Sequence, residues 1–353
     1  LSAIESPIMP HGLDGCCSLE EYAQRERPIG TGSFQIMNWV RGNEIILERN
    51  SHHWKRETDG PDVIRVVFED RADKRIDMFQ NGTVHLGGMG ALPMAAGRAL
   101  QQEAGLYLDT VGQSALNPVL FIEFNASRAP FDDVFVRQMV RDSVCSKTIL
   151  SQAFSGFGEE MTGPLHSSWI KRGLVKTNHA PEPLNIQCCP SFPPEEITLD
   201  CIPYGDEWRA AAELVCGMLK DMGFKVRLRD QSFSAWMERI FVRRDFDLTL
   251  NYVHYYSDPA LSLNRLHHSE SIGKARTFAN SSGWSTDETD ALIDAATVEV
   301  DKNVRAATYG QLADILYNEA PCVWIAEISP LTAVNDAYRH LLKSPFGVYG
   351  PIY

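Results

Sequence analysis

The segment Asn251-Tyr252-Val253-His254-Tyr255-Tyr256-Ser257-Asp258-Pro259 gathers aromatic faces, an imidazole and a carboxylate in one short stretch. Aromatic walls with a few polar groups are the usual lining of a small-molecule pocket, so the chemistry on offer is stacking and hydrogen bonding to a solute. Trp236, Trp284 and Trp324 add large rings that are candidates for a ligand platform, although tryptophan more often serves as core. Asp258 before Pro259 also has the form of a helix start, in which case its carboxylate caps backbone N–H groups.

Signatures of covalent or metal-assisted catalysis are missing. The sequence holds no GxSxG, HExxH or GxxxxGK[ST] pattern. Gly30-Thr31-Gly32 precedes a strand pattern, lacks the third glycine of a dinucleotide fingerprint and reads as a tight turn. His52-His53 and His267-His268 each offer at most one ligand, because successive side chains on an extended segment point opposite ways. The eight cysteines, at 16, 17, 145, 188, 189, 201, 216 and 322, form no CxxC, so zinc is not expected. Cys145, Cys216 and Cys322 lie in apolar patterns and read as buried thiols. Cys16-Cys17 and Cys188-Cys189 sit in Gly/Pro-rich loops, where one or two disulfides are compatible with an oxidising compartment. No enzyme, cofactor or bound metal is expected; a hydrolase is only a third reading, since a Ser/His/Asp set need converge only in space.

The elements that must position these residues follow from periodicity. Residues 34–41 and 44–49 around Gly42-Asn43 predict a hairpin, 63–68 a third strand, 71–80 a helix stopped by Asn81-Gly82, and 83–86 a short strand. Residues 106–111 and 119–125 read as strands, 131–145 as a helix, and 156–195 as a surface excursion. Residues 197–202, 206–222, 225–229, 233–243 and 246–252 alternate strand and helix, which calls for a mostly parallel sheet with right-handed crossovers. Ligands bind beyond the carboxyl ends of such strands, and that points to the segment after Tyr252. Helices over 287–300 and 303–318 complete the region.

The chain has 353 residues with 33 basic and 46 acidic side chains, a formal net charge of −13. No nucleic-acid partner is expected, because a polyanion needs clustered Lys and Arg. Hydrophobic residues at 44% and charged residues at 22% match folded domains, and the length predicts two or three folding units. No run of apolar residues is long enough for a membrane helix. The chain begins at Leu1 with no basic stretch leading into an apolar one, so either a signal peptide has been removed or the chain starts within a longer protein.

Arg27-Pro28-Ile29-Gly30-Thr31-Gly32-Ser33-Phe34, Glu48-Arg49-Asn50 and Trp54 resemble the PVGTGPY…W…LERNPDYW block of the family 5 solute-binding proteins of peptide and nickel ABC importers. The resemblance continues in order through Gln80 to Leu86 (QSGEVDL), Phe124-Asn125 with Ala129 to Gln138 (FN…PFDDVRVRQAL), Asp245 to Leu248 (GDFDL), Ser257-Asp258-Pro259 (YPDP) and Asn280 to Trp284 (NYSGYSNPEVD). It covers about residues 27 to 340, and its collinearity is far more specific than any single motif.

The resemblance implies an α/β, two-lobed periplasmic binding protein-like fold of type II, cluster C-like, with mixed sheets flanked by helices. Residues 1–146 and 327–353 would form lobe I and 147–326 the other lobe. Family members are longer at the amino end, which implies a fragment or processed product. The implied protein is a periplasmic, extracellular or lipid-anchored receptor, secreted by a signal peptide absent from this chain. Its partners would be a small solute and the membrane permease subunits of an ABC importer, and it would work by hinge closure.

Dipeptide-binding members carry an aspartate three residues before the DP aspartate, where this chain has Tyr255; nickel-binding members carry a histidine after DP, where it has Ala260. Peptide and nickel chemistry are both weakened, and the rings of 254–256 point to a peptide-like, opine-like or glycoside-like solute. The expected cleft residues are Glu123 and Asn125 from the first lobe and Trp236, His254, Tyr255, Tyr256 and Asp258 from the second; Asn125 has bracing of the crossover as its alternative. The rival function is a truncated scaffold or interaction subunit without a transport ligand.

Overall fold

In a computed structural model the chain divides into two units, Leu1–Gly112 with Leu331–Tyr353 and Gln113–Pro330. The structure describes residues 30–54, 60–88, 90–103, 105–109, 118–176, 196–273 and 276–342. In chain order the elements are β1 (Phe34–Val40), β2 (Glu44–Arg49), β3 (Val63–Val67), α1 (Ala72–Gln80), β4 (Leu86–Gly87), α2 (Met94–Glu103) and β5 (Leu106–Asp109). Next come β6 (Pro118–Phe124), α3 (Val134–Ser143), α4 (Ser146–Ala153), β7 (Gly158–Glu160), α5 (Ser167–Lys171), β8 (Glu196–Cys201) and α6 (Asp206–Asp221). The remainder is β9 (Lys225–Arg229), α7 (Phe233–Met237), β10 (Leu248–His254), α8 (Pro259–His267), α9 (Asp287–Val298), α10 (Lys302–Glu319), β11 (Cys322–Ile328) and β12 (Thr332–Asn335).

The first unit holds two three-stranded antiparallel sheets, β1-β2-β3 and β4-β12-β5. Register puts Trp39, Ile45 and Val66 in one row and Ile36, Leu47 and Ile64 in the next, so β1-β2-β3 has one apolar face. Glu44 and Arg65 pair on the other face.

The second unit is organised around a sheet of order β7-β11-β6-β10-β8-β9. Strands β10, β8 and β9 are parallel, while β6, β11 and β7 join antiparallel to one another and to β10. Every side chain of β6 is buried, which explains its apolar run PVLFI in place of alternation. Val119, Phe121, Val253 and Trp324 pack with Leu263 and Leu266 of α8, Ile293 of α9 and Leu312 and Leu316 of α10. The expected strand–helix–strand–helix–strand order over 197–256 is present as β8-α6-β9-α7-β10, within a mixed sheet.

Several elements differ from the sequence reading. The division falls at 112/113 and 330/331, not near 146 and 326, because β6 lies inside the sheet of the second unit. The helix expected over 131–145 starts at Val134, where the Asp133 carboxylate accepts from the Phe135 N–H, and a separate helix, α4, follows. Phe131 instead stacks in the core on Phe124, with centroids 4.9 Å apart. The 83–86 strand shrinks to Leu86–Gly87, since the Asn81 side chain accepts from the Thr83 N–H and extends the turn. The excursion over 156–195 contains β7 and α5 in its described part. Cys216 and Cys322 are buried, but Cys145 is exposed at the start of α4, so that expectation is corrected. Cys16, Cys17, Cys188 and Cys189 lie outside the described residues.

Candidate functional site

Three parallel strands deliver aromatic side chains at their carboxyl ends. Tyr204 follows β8, Phe233 opens α7 after β9, and His254 ends β10. The Tyr204 and Phe233 rings stack with centroids 5.7 Å apart and planes 16° apart, yet the residues are 48% and 41% exposed. Trp208, from the first turn of α6, meets Tyr204 edge-on at 5.8 Å and Tyr252 at 5.4 Å, and Tyr252 meets His254 at 5.4 Å. The Trp208 indole N–H is buried with no acceptor among the described residues. Gly205, at φ 136°, makes the turn from Tyr204 into α6 in a conformation that L side chains rarely adopt. The result is a stacked, solvent-facing aromatic surface at the place where α/β sheets bind ligands.

The residues proposed from sequence distribute differently. Of them only His254, half-buried, joins this surface. Trp236 is fully buried and its indole N–H donates to the Thr249 hydroxyl at 3.1 Å, which makes it core. Tyr255 is also fully buried: its ring stacks on Trp169 at 5.0 Å and its hydroxyl accepts from the Trp324 indole at 3.1 Å. Tyr256 is half-buried, under the Arg265 guanidinium at 5.3 Å. Asp258 caps α8 by accepting from the Ala260 N–H and pairs with Arg305 through two hydrogen bonds of 2.8 and 3.1 Å. Burial opposes its ionisation, but Arg305 and that N–H outweigh burial and hold the carboxyl below the ordinary range.

Glu123 and Asn125 sit at the other end of the sheet. His254 pairs with Pro118 and Leu248 with Phe124, so the two ends are roughly 20 Å apart at the usual strand rise. Glu123 accepts from the Ser282 N–H at 3.0 Å and the Asn251 amide at 3.3 Å, tying the 280–283 loop to β6; burial pushes its carboxyl up against those bonds. Asn125 donates to the Arg244 and Phe246 carbonyls at 3.1 and 3.0 Å and braces that crossover. Gly283 gives the Arg244 guanidinium its place, since a Cβ there would overlap it. Among the described residues no group of three or more His, Cys, Asp or Glu is placed to hold a metal, and no helix is long and apolar enough to cross a membrane.

Sequence reasoning missed Tyr204 and Phe233. The rule that selected the segment after Tyr252 selects them too when applied to the ends of the strands before them.

A family model described as bacterial extracellular solute-binding proteins, family 5 middle, matches residues 19–274. Heme-binding protein A of Haemophilus influenzae is 25% identical over 332 residues, 91% of this chain and 58% of its own length. The probable D,D-dipeptide-binding periplasmic protein DdpA of Escherichia coli is 22% identical over 90% of this chain and 60% of its own. The structure of the oligopeptide-binding protein AppA from Bacillus subtilis, in complex with a nonapeptide, superimposes with a TM-score of 0.77 at 20% identity, over 97% of this chain and 70% of that one. The chain spans about 60% of the length of the curated relatives it matches.

Proposed function

The chain belongs to the bacterial extracellular solute-binding proteins of family 5, and from that premise we propose that it is the solute receptor of an ABC importer, working outside the cytoplasmic membrane, for a peptide-like solute. The observation that carries this reading is the exposed Tyr204–Phe233 stack at the ends of three parallel strands. Rings with free faces bind flat or apolar groups, and relatives of this family include proteins named for di- and tripeptides. Tyr255 lies in the core, so no side chain at that position meets a peptide ammonium group. Recognition would therefore rest on stacking, and opine-like and glycoside-like solutes belong in the same test because they too offer flat faces.

The test is calorimetry and thermal unfolding of the chain against panels of peptides, opines and glycosides. A ligand of the folded state raises its melting temperature with concentration. Tyr204→Ala is expected to weaken the bound solute about tenfold or more, as loss of about 1.4 kcal/mol would, with the fold intact because the ring is half exposed. A chain that gains stability from no member of the panels would favour a scaffold or interaction subunit instead.

A further inference from the structure

Asp200 is a fully buried carboxyl group in β8, the strand that leads to Tyr204. Register places Thr249 of β10, Asp200 and Arg229 of β9 side by side across three parallel strands, so their side chains share one face of the sheet. The segment around α7 is tied to that row at two points. The Gln231 amide donates to Asp200 Oδ1 at 2.6 Å, and the Trp236 indole donates to the Thr249 hydroxyl at 3.1 Å. Phe233, whose ring stacks on Tyr204, lies between the two ties in the chain and meets the Trp236 ring at 5.9 Å.

The surroundings match this carboxyl group poorly. Arg229 Nη1 lies 3.3 Å from the same Oδ1 yet makes no hydrogen bond, and Oδ2 is buried with no donor among the described residues. Arg239, in the helical turn Glu238–Arg243 after α7, donates to Gln231 Oε1 at 3.3 Å and pairs with Asp245 at 2.8 Å. Glu238 and Arg243 pair with each other, and Asp247 accepts from the Thr198 N–H and pairs with Arg128. A buried carboxylate so incompletely paired is costly to keep ionised. Burial pushes Asp200 up to about 6, against Arg229, Gln231 and Arg239, and Asp247 adds to the rise. While ionised, Asp200 holds the Gln231 N–H through a charge-assisted bond. Once neutral, it loses that advantage and gains an O–H that needs an acceptor. Gln231 Oε1 is already held by Arg239, so the amide or the carboxyl group must turn.

We propose that Asp200 is a positioning residue for the aromatic surface: its carboxylate fixes Gln231 and thereby seats Phe233 on Tyr204, and uptake of a proton there loosens the stack. The consequence for function, a solute held more tightly at neutral than at acid pH, rests on the solute-receptor reading, whereas the ring geometry does not.

The test reads the ring and needs no ligand. In the full chain with its tyrosine rings labelled with carbon-13, the Tyr204 NMR signal is identified by its loss in Tyr204→Phe, and Phe233→Leu gives its position without the stack. From pH 8 to pH 5 the parent signal is expected to move towards the Phe233→Leu position, with one midpoint at about 6. Asp200→Asn removes a buried charge and keeps the side-chain shape, and is expected to abolish the movement and leave the signal at the parent's acid position. Gln231→Ala, in a half-buried turn, is expected to hold it near the Phe233→Leu position at every pH, with circular dichroism unchanged. A Tyr204 signal that does not titrate would overturn the proposal. So would a titration that persists in Asp200→Asn, which would assign the proton to His254 on the same surface, or one that persists unchanged in Gln231→Ala. Because no solute is involved, either failure leaves the receptor reading standing. A chain whose ring titrates as expected but which binds no member of the solute panels would sink the receptor reading alone.

Discussion

Tyr255 stands where dipeptide-binding members of the family carry an aspartate, and its surroundings show why the exchange is not a simple loss of charge. Trp169 covers its face and Trp324 donates to its hydroxyl in a site without solvent. Tyr255→Phe leaves the buried Trp324 N–H without an acceptor and is expected to cost about 1 kcal/mol. Tyr255→Asp places a carboxylate against two indoles and is expected to cost roughly 3 kcal/mol or more; urea unfolding in which both variants match the parent would remove the ring from the core. His267 is as deeply placed, with both ring nitrogens unpartnered among the described residues, and burial lowers its pKa to about 3. Burial, with help from Lys171, lowers His166 to about 4. Between the ordinary value of 6.5 and these values the unfolded chain holds protons that the native chain does not. Stability is therefore lost as pH falls below 6.5, by up to roughly 1 kcal/mol per pH unit for each histidine. His267→Leu removes one of the two contributions, so its stability relative to the parent should rise steadily from pH 7 to pH 4. Parallel pH profiles in urea would show that His267 has a proton acceptor in the native state.

Among the elements, α3 and α10 illustrate how a local motif acts at long range. Arg141 donates to the Tyr317 carbonyl at 2.7 Å, Gln138 to that of Asn318 at 2.6 Å, and Arg137 to that of Glu319 at 3.0 and 2.8 Å. Consecutive orphan carbonyls at the end of α10 are thus satisfied by one face of α3, with positive charge at the negative end of the helix dipole. Arg137 is nearly inaccessible and also donates to the Phe131 carbonyl at 2.9 Å. Arg137→Met is expected to cost roughly 3 kcal/mol, as a buried network left unpaired, and Gln138→Ala at the exposed edge less than about 1 kcal/mol; equal effects in denaturant titration would contradict the capping role. The Arg-Gln pair was visible in the sequence as part of the resemblance, but its acceptors lie about 180 residues away and no local pattern names them. Helix α6 was legible from its apolar periodicity and α8 from the Asp258-Pro259 start, and the spans 287–300 and 303–318 anticipated α9 and α10 to within two residues. Strand β11 was not, because CVWIAEI is buried almost throughout and a continuous apolar run has no period to read. The candidate site was half legible for a related reason: chain order located the strand ends, while the stacking of Tyr204 on Phe233 depends on the β8–β9 pairing.

For the whole molecule, the distribution of burial between and within the two units sets the order in which structure is lost. The buried apolar residues described in the first unit lie within residues 79–108 and 331–334, and β1-β2-β3 contributes none, its apolar face staying half exposed. The second unit buries β6, β10 and β11 almost completely between helices. At about 25 cal/mol per Å² of apolar surface removed from water, that difference dominates local stability, since the backbone hydrogen bonds of the two sheets are alike. Unlike contacts, the net charge of −13 acts on the whole chain, and its self-repulsion weakens as salt shortens the screening length to about 10 Å at 0.1 M. Hydrogen exchange in rising urea should therefore show β1-β2-β3 amides opening first and with little dependence on denaturant, β4-β12-β5 next, and β6, β10 and β11 only at the global transition. Added salt should raise the urea midpoint of that last transition while leaving the order intact. If the β1-β2-β3 amides were protected as long as those of β6, their half-exposed apolar face would have to be covered in solution, and the stability of the first unit would come from that cover and not from the residues it buries itself.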